Sequence, residues 1–142
     1  MPIQKQLTGM QGVFLVAAEL SRRGFIVSPT SRNARGADLL VTDQNCKSAF
    51  SVSVKTNAST FSFWLMDAKA REMHSPSHVY VLVNLRRNRT EYFVVPSKVV
   101  AENIKVSKSS QGTVWYEFHL AIAKQYENNW ALFAQDAEEP GV

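Results

Sequence analysis

A carboxylate and an amine lie on two neighbouring strand-like segments of this 142-residue sequence. Asp38 lies near the start of the apolar segment 37–42, and Lys55 ends the segment 49–55. If the two segments form a hairpin, both side chains lie near the same end of one sheet. A carboxylate binds Mg²⁺ or Mn²⁺, and an adjacent lysine positions or activates the attacking water, so the pair predicts metal-assisted cleavage of a phosphodiester.

Segment 49–55 is predicted to be a strand because apolar and polar side chains alternate along it. The apolar face consists of Phe50, Val52 and Val54, and the polar face consists of Ser51, Ser53 and Lys55. The polar segment 43–48 is predicted to be the turn of a hairpin with strand 37–42. The sequence therefore places Ser53 and Lys55 on the same polar face.

The N-terminal part of the chain is predicted to form a helix over residues 8–23. Its apolar stripe follows the helical spacing i, i+3, i+4, i+7 and consists of Val13, Val16, Ala17 and Leu20. Thr8 and Gln11 have the spacing of a capping box, and Gly24 is a natural end in the left-handed conformation.

The rest of the chain is predicted to form alternating groups of strands and helices. The further strands are expected at residues 25–27, 79–85, 91–95 and near 115–118. The further helices are expected at residues 67–73, from the N-cap Ser97 onwards, and at 119–125 and 128–134. This order predicts an α/β fold with a mixed sheet flanked by helices.

Two short motifs resemble those of the PD-(D/E)XK nuclease superfamily, especially its small Holliday-junction-resolvase-like members. These proteins have an N-terminal helix, a G-x-D motif at a strand start, and E-x-K or Q-x-K on the next strand. Gly36-Ala37-Asp38 matches the first motif, and Ser53-Val54-Lys55 occupies the second. The resemblance covers residues 8–56 and implies a restriction-endonuclease-like core in the order helix, three strands, helix, strand.

The resemblance also implies a function, that of a Mg²⁺-dependent DNA endonuclease or resolvase. Asp38 and the backbone carbonyl of Val54 would bind the metal, and Lys55 would act on the water. Ser53 replaces the family's glutamate or glutamine, and its short neutral hydroxyl is a poor ligand for Mg²⁺. We therefore expect a partly degenerate site with weakly bound metal.

A glutamate that many family members carry in the first helix is Val13 here. Gln11 and Glu19 are candidate helpers that would act on the metal through water. Gln11 could instead belong to the capping box, and Glu19 could lie on a solvated helix face. Asp38 also has an alternative role, as a strand-start residue that accepts hydrogen bonds from backbone amides.

Two groups of polar side chains are candidates for binding the phosphates of DNA, because arginine forks match phosphate oxygens. The first group, before Asp38, consists of Arg32, Asn33 and Arg35, and the second, in a predicted turn, consists of Arg86, Arg87 and Arg89. Ordinary solvated loops are the alternative in both cases. Phe61, Phe63 and Trp64 could stack on bases, although such residues more often belong to a core or to a dimer contact.

The composition indicates one domain over residues 1–134, followed by a short acidic tail over residues 135–142. The net charge of +4 is compatible with DNA as a partner. The single cysteine excludes an internal disulfide, and no apolar run is long enough to cross a membrane. We expect a cytoplasmic protein without a small-molecule cofactor.

The sequence leaves two hypotheses of different classes. The first is the metal-dependent DNA endonuclease or resolvase-like protein, and the resemblance implies a homodimer for this hypothesis as well as for the next. The second is a catalytically inactive nucleic-acid-binding or protein-interaction module on the same fold, which Ser53 favours.

Overall fold

The first element, α1, spans Pro2–Arg22 in the computed structural model, which describes residues 2–31, 36–59 and 61–138. The helix begins six residues before the predicted start, with proline in its first turn, where the missing N–H costs no hydrogen bond. Thr8 lies inside the helix, so the predicted capping box with Gln11 is wrong. Gly24 has a φ of +96°, as expected for a residue that ends a helix.

A five-stranded sheet forms the centre of the molecule. Its strands are β1 (Ile26–Pro29), β2 (Leu39–Thr42), β3 (Ala49–Asn57), β5 (His78–Leu85) and β6 (Thr90–Pro96). They lie in the order β1-β2-β3-β5-β6, and only the β3–β5 pair of this sheet is parallel. The predicted α/β fold with a mixed sheet is confirmed, as is the predicted hairpin of β2 and β3.

A smaller, antiparallel sheet lies beside the first. It consists of β4 (Phe63–Met66), β7 (Lys105–Lys108) and β8 (Val114–His119), in the order β4-β8-β7. The late strand was predicted at β8, whereas the sequence analysis assigned no strand to β4 or β7. The aromatic segment around Phe63 therefore belongs to a sheet.

The remaining helices are short. They are α2 (Ser97–Asn103), α3 (Leu120–Ala123) and three 3₁₀ helices at Ala68–Arg71, Lys124–Tyr126 and Trp130–Glu138. Ser97 was predicted to be the N-cap of α2, and this prediction is wrong. Its hydroxyl donates instead to the carbonyl of Ser75 at 2.7 Å, and the helix has no side-chain cap. The last 3₁₀ helix crosses the predicted boundary at residue 134, and residues 139–142 of the predicted tail lie outside the described residues.

The two faces of the five-stranded sheet are covered by different elements. One hydrophobic core joins the stripe of α1 to this sheet and to Phe133 of the last 3₁₀ helix. A second core joins the opposite face to β4, β8 and α2, around Trp64 and Leu82. Full burial of such side chains stabilises the fold by about 1.5–3 kcal/mol each, so both faces are firmly packed.

Phe50 and Val52 of β3 belong to the core beneath α1, and Val54 packs against it. The alternation predicted for this strand therefore turns Ser51, Ser53 and Lys55 toward the opposite side of the sheet.

None of the helices within residues 2–31, 36–59 and 61–138 combines the length and the apolar character needed to cross a membrane.

Candidate functional site

The polar face of β3 meets polar residues of β5 because the two strands are parallel and in register. Ser51 pairs with His78, and Ser53 pairs with Tyr80. Side chains of register partners project to the same face of a sheet. The parallel pairing therefore builds a polar surface from residues that lie 27 positions apart in the sequence.

The backbone around Asp38 is held by hydrogen bonds to both neighbouring strands. The Asp38 N–H donates to the carbonyl of Val52 at 2.7 Å, and its own carbonyl accepts from the N–H of Thr30 at 3.0 Å. The carboxylate Oδ2 accepts a hydrogen bond from the N–H of Val54 at 2.7 Å. This contact holds the carboxylate next to the backbone of Val54, between Ser53 and Lys55.

Asp38, Ser53 and Lys55 line one cavity of about 340 Å³ on the polar face of β3. Its other walls come from the loop before β2, the first 3₁₀ helix and the start of β5. The structure thus brings together the three residues for which the sequence predicted a catalytic role. Their roles in catalysis stay a prediction.

Four further polar side chains line the same cavity and were not singled out from the sequence: Asp67, Lys69, His78 and Tyr80. Asp67 accepts a hydrogen bond from the N–H of Ala70 at 3.1 Å and so begins the 3₁₀ helix. Burial, and secondly the nearby charge of Asp67, raises the pKa of Tyr80 to about 12. The phenol is therefore protonated at neutral pH and can donate a hydrogen bond into the cavity.

His78 lies buried against the two serines of β3. Its Nδ1 is 2.6 Å from Ser51 Oγ, and its Nε2 is 3.2 Å from Ser53 Oγ. Burial lowers the pKa of His78, and the charge of Asp38 opposes this only in part. The imidazole is therefore neutral at pH 7, and each ring nitrogen has a hydroxyl partner.

The sequence analysis assigned no role to His78. The signal that could have identified it is the alternation of His78, Tyr80 and Leu82 on β5, read against the polar face of β3. That signal requires the parallel register of the two strands, which no local pattern specifies.

The polar groups in the cavity supply only a small part of the oxygen ligands that a divalent metal ion needs. Asp38 uses one carboxylate oxygen for the N–H of Val54, and Ser53 Oγ donates to the carbonyl of Gly36 at 3.0 Å. Among the described residues, no three His, Cys, Asp or Glu side chains are grouped so that they could hold a metal ion. A hard divalent cation needs six or more oxygen ligands, most of which water would have to supply here.

The two candidate helpers on α1 do not line this cavity. Gln11 is exposed, and α1 packs on the opposite face of the sheet. Glu19 forms ion pairs with Arg22 and Arg23, and the hydrogen bond from Arg22 lowers the pKa of Glu19. The placement of Glu19 agrees with its alternative of a solvated helix face, whereas Gln11 lies inside α1 and belongs to no capping box.

The predicted arginine turn joins β5 and β6. Arg86 and Arg89 form ion pairs with the buried carboxylate of Glu91, at 2.9 and 3.0 Å. Arg87 is exposed, and the described residues offer it no ion pair. The other predicted phosphate-binding group, Arg32, Asn33 and Arg35, lies outside the described residues.

Among solved structures, the fold is similar to that of a Holliday junction resolvase from the archaeal hyperthermophile Archaeoglobus fulgidus. The sequence identity is 9% and the TM-score is 0.49, over 78% of this chain and 89% of that chain. No protein-family model and no curated protein matches the sequence.

Proposed function

We propose that the protein binds DNA through a site of PD-(D/E)XK ancestry, and that this site has lost efficient metal-dependent cleavage. The observation that carries the proposal is the shared cavity of Asp38, Ser53 and Lys55. The motifs Gly36-Ala37-Asp38 and Ser53-Val54-Lys55 supply the same positions as the catalytic motifs of that superfamily.

The cavity has donors that suit a phosphate of the DNA backbone. Lys55 and Lys69 supply ammonium groups at its wall, and Tyr80 supplies a protonated hydroxyl. Lysine binds phosphate as a point charge, without the fixed fork of arginine. Asp38 is turned toward the N–H of Val54, which offsets part of its charge.

The loss of efficient cleavage follows from Ser53. Its hydroxyl is engaged by the carbonyl of Gly36 and lies beside His78. A glutamate or glutamine at this position would extend an oxygen toward the metal, whereas serine is shorter and neutral. The chain therefore supplies too few oxygen ligands to hold Mg²⁺ firmly.

A second candidate function is a weak Mg²⁺- or Mn²⁺-dependent endonuclease. It is favoured by the presence of both Asp38 and Lys55 at the same cavity. In this case Asp38 and the Val54 carbonyl would bind the metal, and Lys55 would position the water.

The test is binding and cleavage of branched, duplex and single-stranded DNA, in EDTA, Mg²⁺ and Mn²⁺. The variants are Lys55→Ala, Asp38→Asn and Ser53→Glu, with Lys47→Ala as the control at an exposed turn lysine. We expect Lys55→Ala to weaken binding about tenfold, since a charge-assisted hydrogen bond contributes about 1.5–3 kcal/mol. Lys47→Ala should leave it unchanged.

Cleavage separates the two candidates. We expect no cleavage by the wild type and metal-dependent cleavage by Ser53→Glu, because the variant regains a carboxylate. Wild-type cleavage that disappears in Lys55→Ala and Asp38→Asn would instead establish the weak endonuclease. Equal DNA affinity of Lys55→Ala and wild type would overturn the proposed site.

A further inference from the structure

An apolar groove of about 420 Å³ adjoins the candidate site, on the outer side of the smaller sheet. We call it the aromatic groove. It is lined chiefly by Lys5, Lys55, Phe61, Phe63, Leu65 and Trp115. Lys55 lines both this groove and the cavity of Asp38, so the two share this side chain as a common wall.

The aromatic side chains of the groove are accessible to a ligand. Phe61 is 51% exposed, Leu65 44% and Trp115 39%. The rings of Phe61 and Phe63 have centroids 4.9 Å apart and are tilted by 56°, so that they support each other. Exposed rings of this size stand out on a surface, where large apolar residues are normally scattered singly.

The position of these rings follows from the strand pattern. In β4, Phe63 and Leu65 project to the outer face, while Trp64 is buried in the core and donates through Nε1 to the carbonyl of Val83 at 3.1 Å. Trp115 projects from β8 on the same outer side. Phe63 and Trp115 are therefore presented on the outer face of the sheet, and Phe61 packs on Phe63 from the segment before β4.

The charges at the groove suit an anionic ligand. Lys5 of α1 and Lys55 of β3 both line it. The carboxylate of Glu117 lies on the same strand as Trp115, but it accepts hydrogen bonds from Ser107 and His119 at 3.1 and 3.0 Å. These contacts orient the carboxylate toward Ser107 and His119, and its charge remains on the outer face, opposite Leu65.

We propose that the aromatic groove binds the unpaired bases of a single-stranded nucleic acid whose backbone enters the cavity of Asp38 and Lys55. Stacking of bases on aromatic rings, flanked by lysines, is how proteins hold single strands without reading their sequence. A base inside a duplex could not reach the rings, because its faces are covered by its neighbours. This inference rests on the proposed DNA-binding function and assigns its substrate class.

A second copy of the chain is a less suitable occupant. An interface between copies is apolar at its centre and depleted of charge there. Lys5 and Lys55 line the groove itself, so a second copy seated there would bring two ammonium groups into the interface. A nucleic-acid strand offers phosphates to the ammonium groups and planar bases to the rings, so it suits both.

The test compares a fluorescein-labelled thymidine 12-mer with a duplex of the same length, by fluorescence anisotropy. We expect Trp115→Ala and Phe61→Ala each to weaken binding of the 12-mer about tenfold, a value typical for the loss of one stacked base. Duplex binding should change less than twofold. Phe14→Ala is the matched control, since Phe14 is 58% exposed on α1 and does not line the groove.

Intrinsic fluorescence gives a second readout. Trp64 and Trp130 are buried, so an added oligonucleotide that stacks in the groove should quench mainly Trp115. Trp115→Phe should keep the affinity within about threefold, because the ring remains, while the quenching disappears. A uridine 12-mer in parallel shows whether the strand is DNA or RNA.

Three results would overturn the inference. Unchanged 12-mer affinity in Trp115→Ala and Phe61→Ala, with duplex binding still sensitive to Lys55→Ala, would overturn the groove alone and leave the proposed function intact. A lack of binding to any nucleic acid would overturn both. A dimer in sedimentation that Trp115→Ala dissociates, with 12-mer affinity unchanged, would assign the groove to a second copy.

Discussion

Asp38 illustrates how one side chain can have a structural and a chemical role together. Its carboxylate accepts the hydrogen bond of the Val54 N–H, as the structural alternative for this residue predicts. The same bond holds the carboxylate at the cavity shared with Lys55. This hydrogen bond therefore does not show whether Asp38 derives from a catalytic site or only stabilises the local fold. The substitutions of Lys55 and Ser53 test the proposed site more directly.

His78 should make the stability of the protein depend on pH. Burial lowers the pKa of His78 below its ordinary value of 6.5, so the unfolded chain binds a proton more readily than the folded one. The free energy of unfolding should therefore fall as the pH drops through about 6.5 toward the lower folded-state pKa. Urea unfolding at pH 7.5 and pH 5.5 measures this fall, and His78→Gln should reduce it.

His78→Gln should also cost about 1 kcal/mol at pH 7.5, because the contacts with Ser51 and Ser53 are rearranged. His74→Gln is the control, since His74 is exposed and should leave both values unchanged. If the wild type and His78→Gln lose the same stability between pH 7.5 and pH 5.5, the buried histidine is not the cause.

The sequence predicted Asp38, Ser53 and Lys55 as neighbours because strand alternation and a short hairpin are local properties. It could not reveal His78, Asp67 or Tyr80 in the same way. These residues join the site through the parallel β3–β5 pairing and through the connection between the two strands. Such contacts depend on the register of segments that are distant in sequence.

At the scale of elements, the packing of α1 against β3 at Gly12 should be sensitive to a single methyl group. A Cβ at Gly12 would overlap Thr56 Oγ1 and lie 2.9 Å from Thr56 Cβ, in a buried contact. Gly12→Ala should lower the free energy of unfolding by about 1–3 kcal/mol, the usual cost of overpacking a core. Urea denaturation measures the change.

Gly9→Ala is the matched control in the same helix, because a Cβ at Gly9 has nothing within 4 Å. It should stabilise the protein by about 0.5–1 kcal/mol, through the higher helix propensity of alanine. The double variant Gly12→Ala, Thr56→Ala should regain part of the lost stability. Equal effects of Gly9→Ala and Gly12→Ala would show that the contact is looser than described.

The elements were predicted best where their periodicity was strong. The core strands of the larger sheet follow from apolar runs and alternation, whereas the start of α1 was misplaced because Thr8 and Gln11 imitate a cap inside the helix. Strand β7 was missed because all four of its residues are exposed and give no buried pattern. Its strand conformation comes from pairing with β8 rather than from its own sequence.

At the scale of the whole molecule, the affinity for a thymidine 12-mer should depend on salt. Contacts of Lys5, Lys55, Lys69 and Arg87 with four phosphates predict a slope of about −3 for log K against log salt concentration, since single strands contribute roughly −0.7 per phosphate. Arg87→Gln should make the slope shallower by about 0.7. Anisotropy titrations between 50 and 200 mM salt, roughly the range where such effects are large, measure it.

Arg22→Gln is the control for this measurement, because Arg22 is held by Glu19 on α1. It removes the same charge from the molecule without removing a predicted phosphate contact. Equal slopes for Arg87→Gln and Arg22→Gln would mean that net charge alone governs binding, and that the arginine turn has no particular part in it.

The connection from β3 to β5 has a consequence for how this protein could diversify. Residues 58–77 carry Asp67 and Lys69 of the cavity as well as Phe61, Phe63 and Leu65 of the aromatic groove. Asp38, Ser53 and Lys55 lie outside this connection: Asp38 directly precedes β2, and Ser53 and Lys55 belong to β3. Substitutions within this connection can therefore change both the cavity and the groove while Asp38, Ser53 and Lys55 stay in place, provided that Trp64 and Met66 keep their packing in the second core.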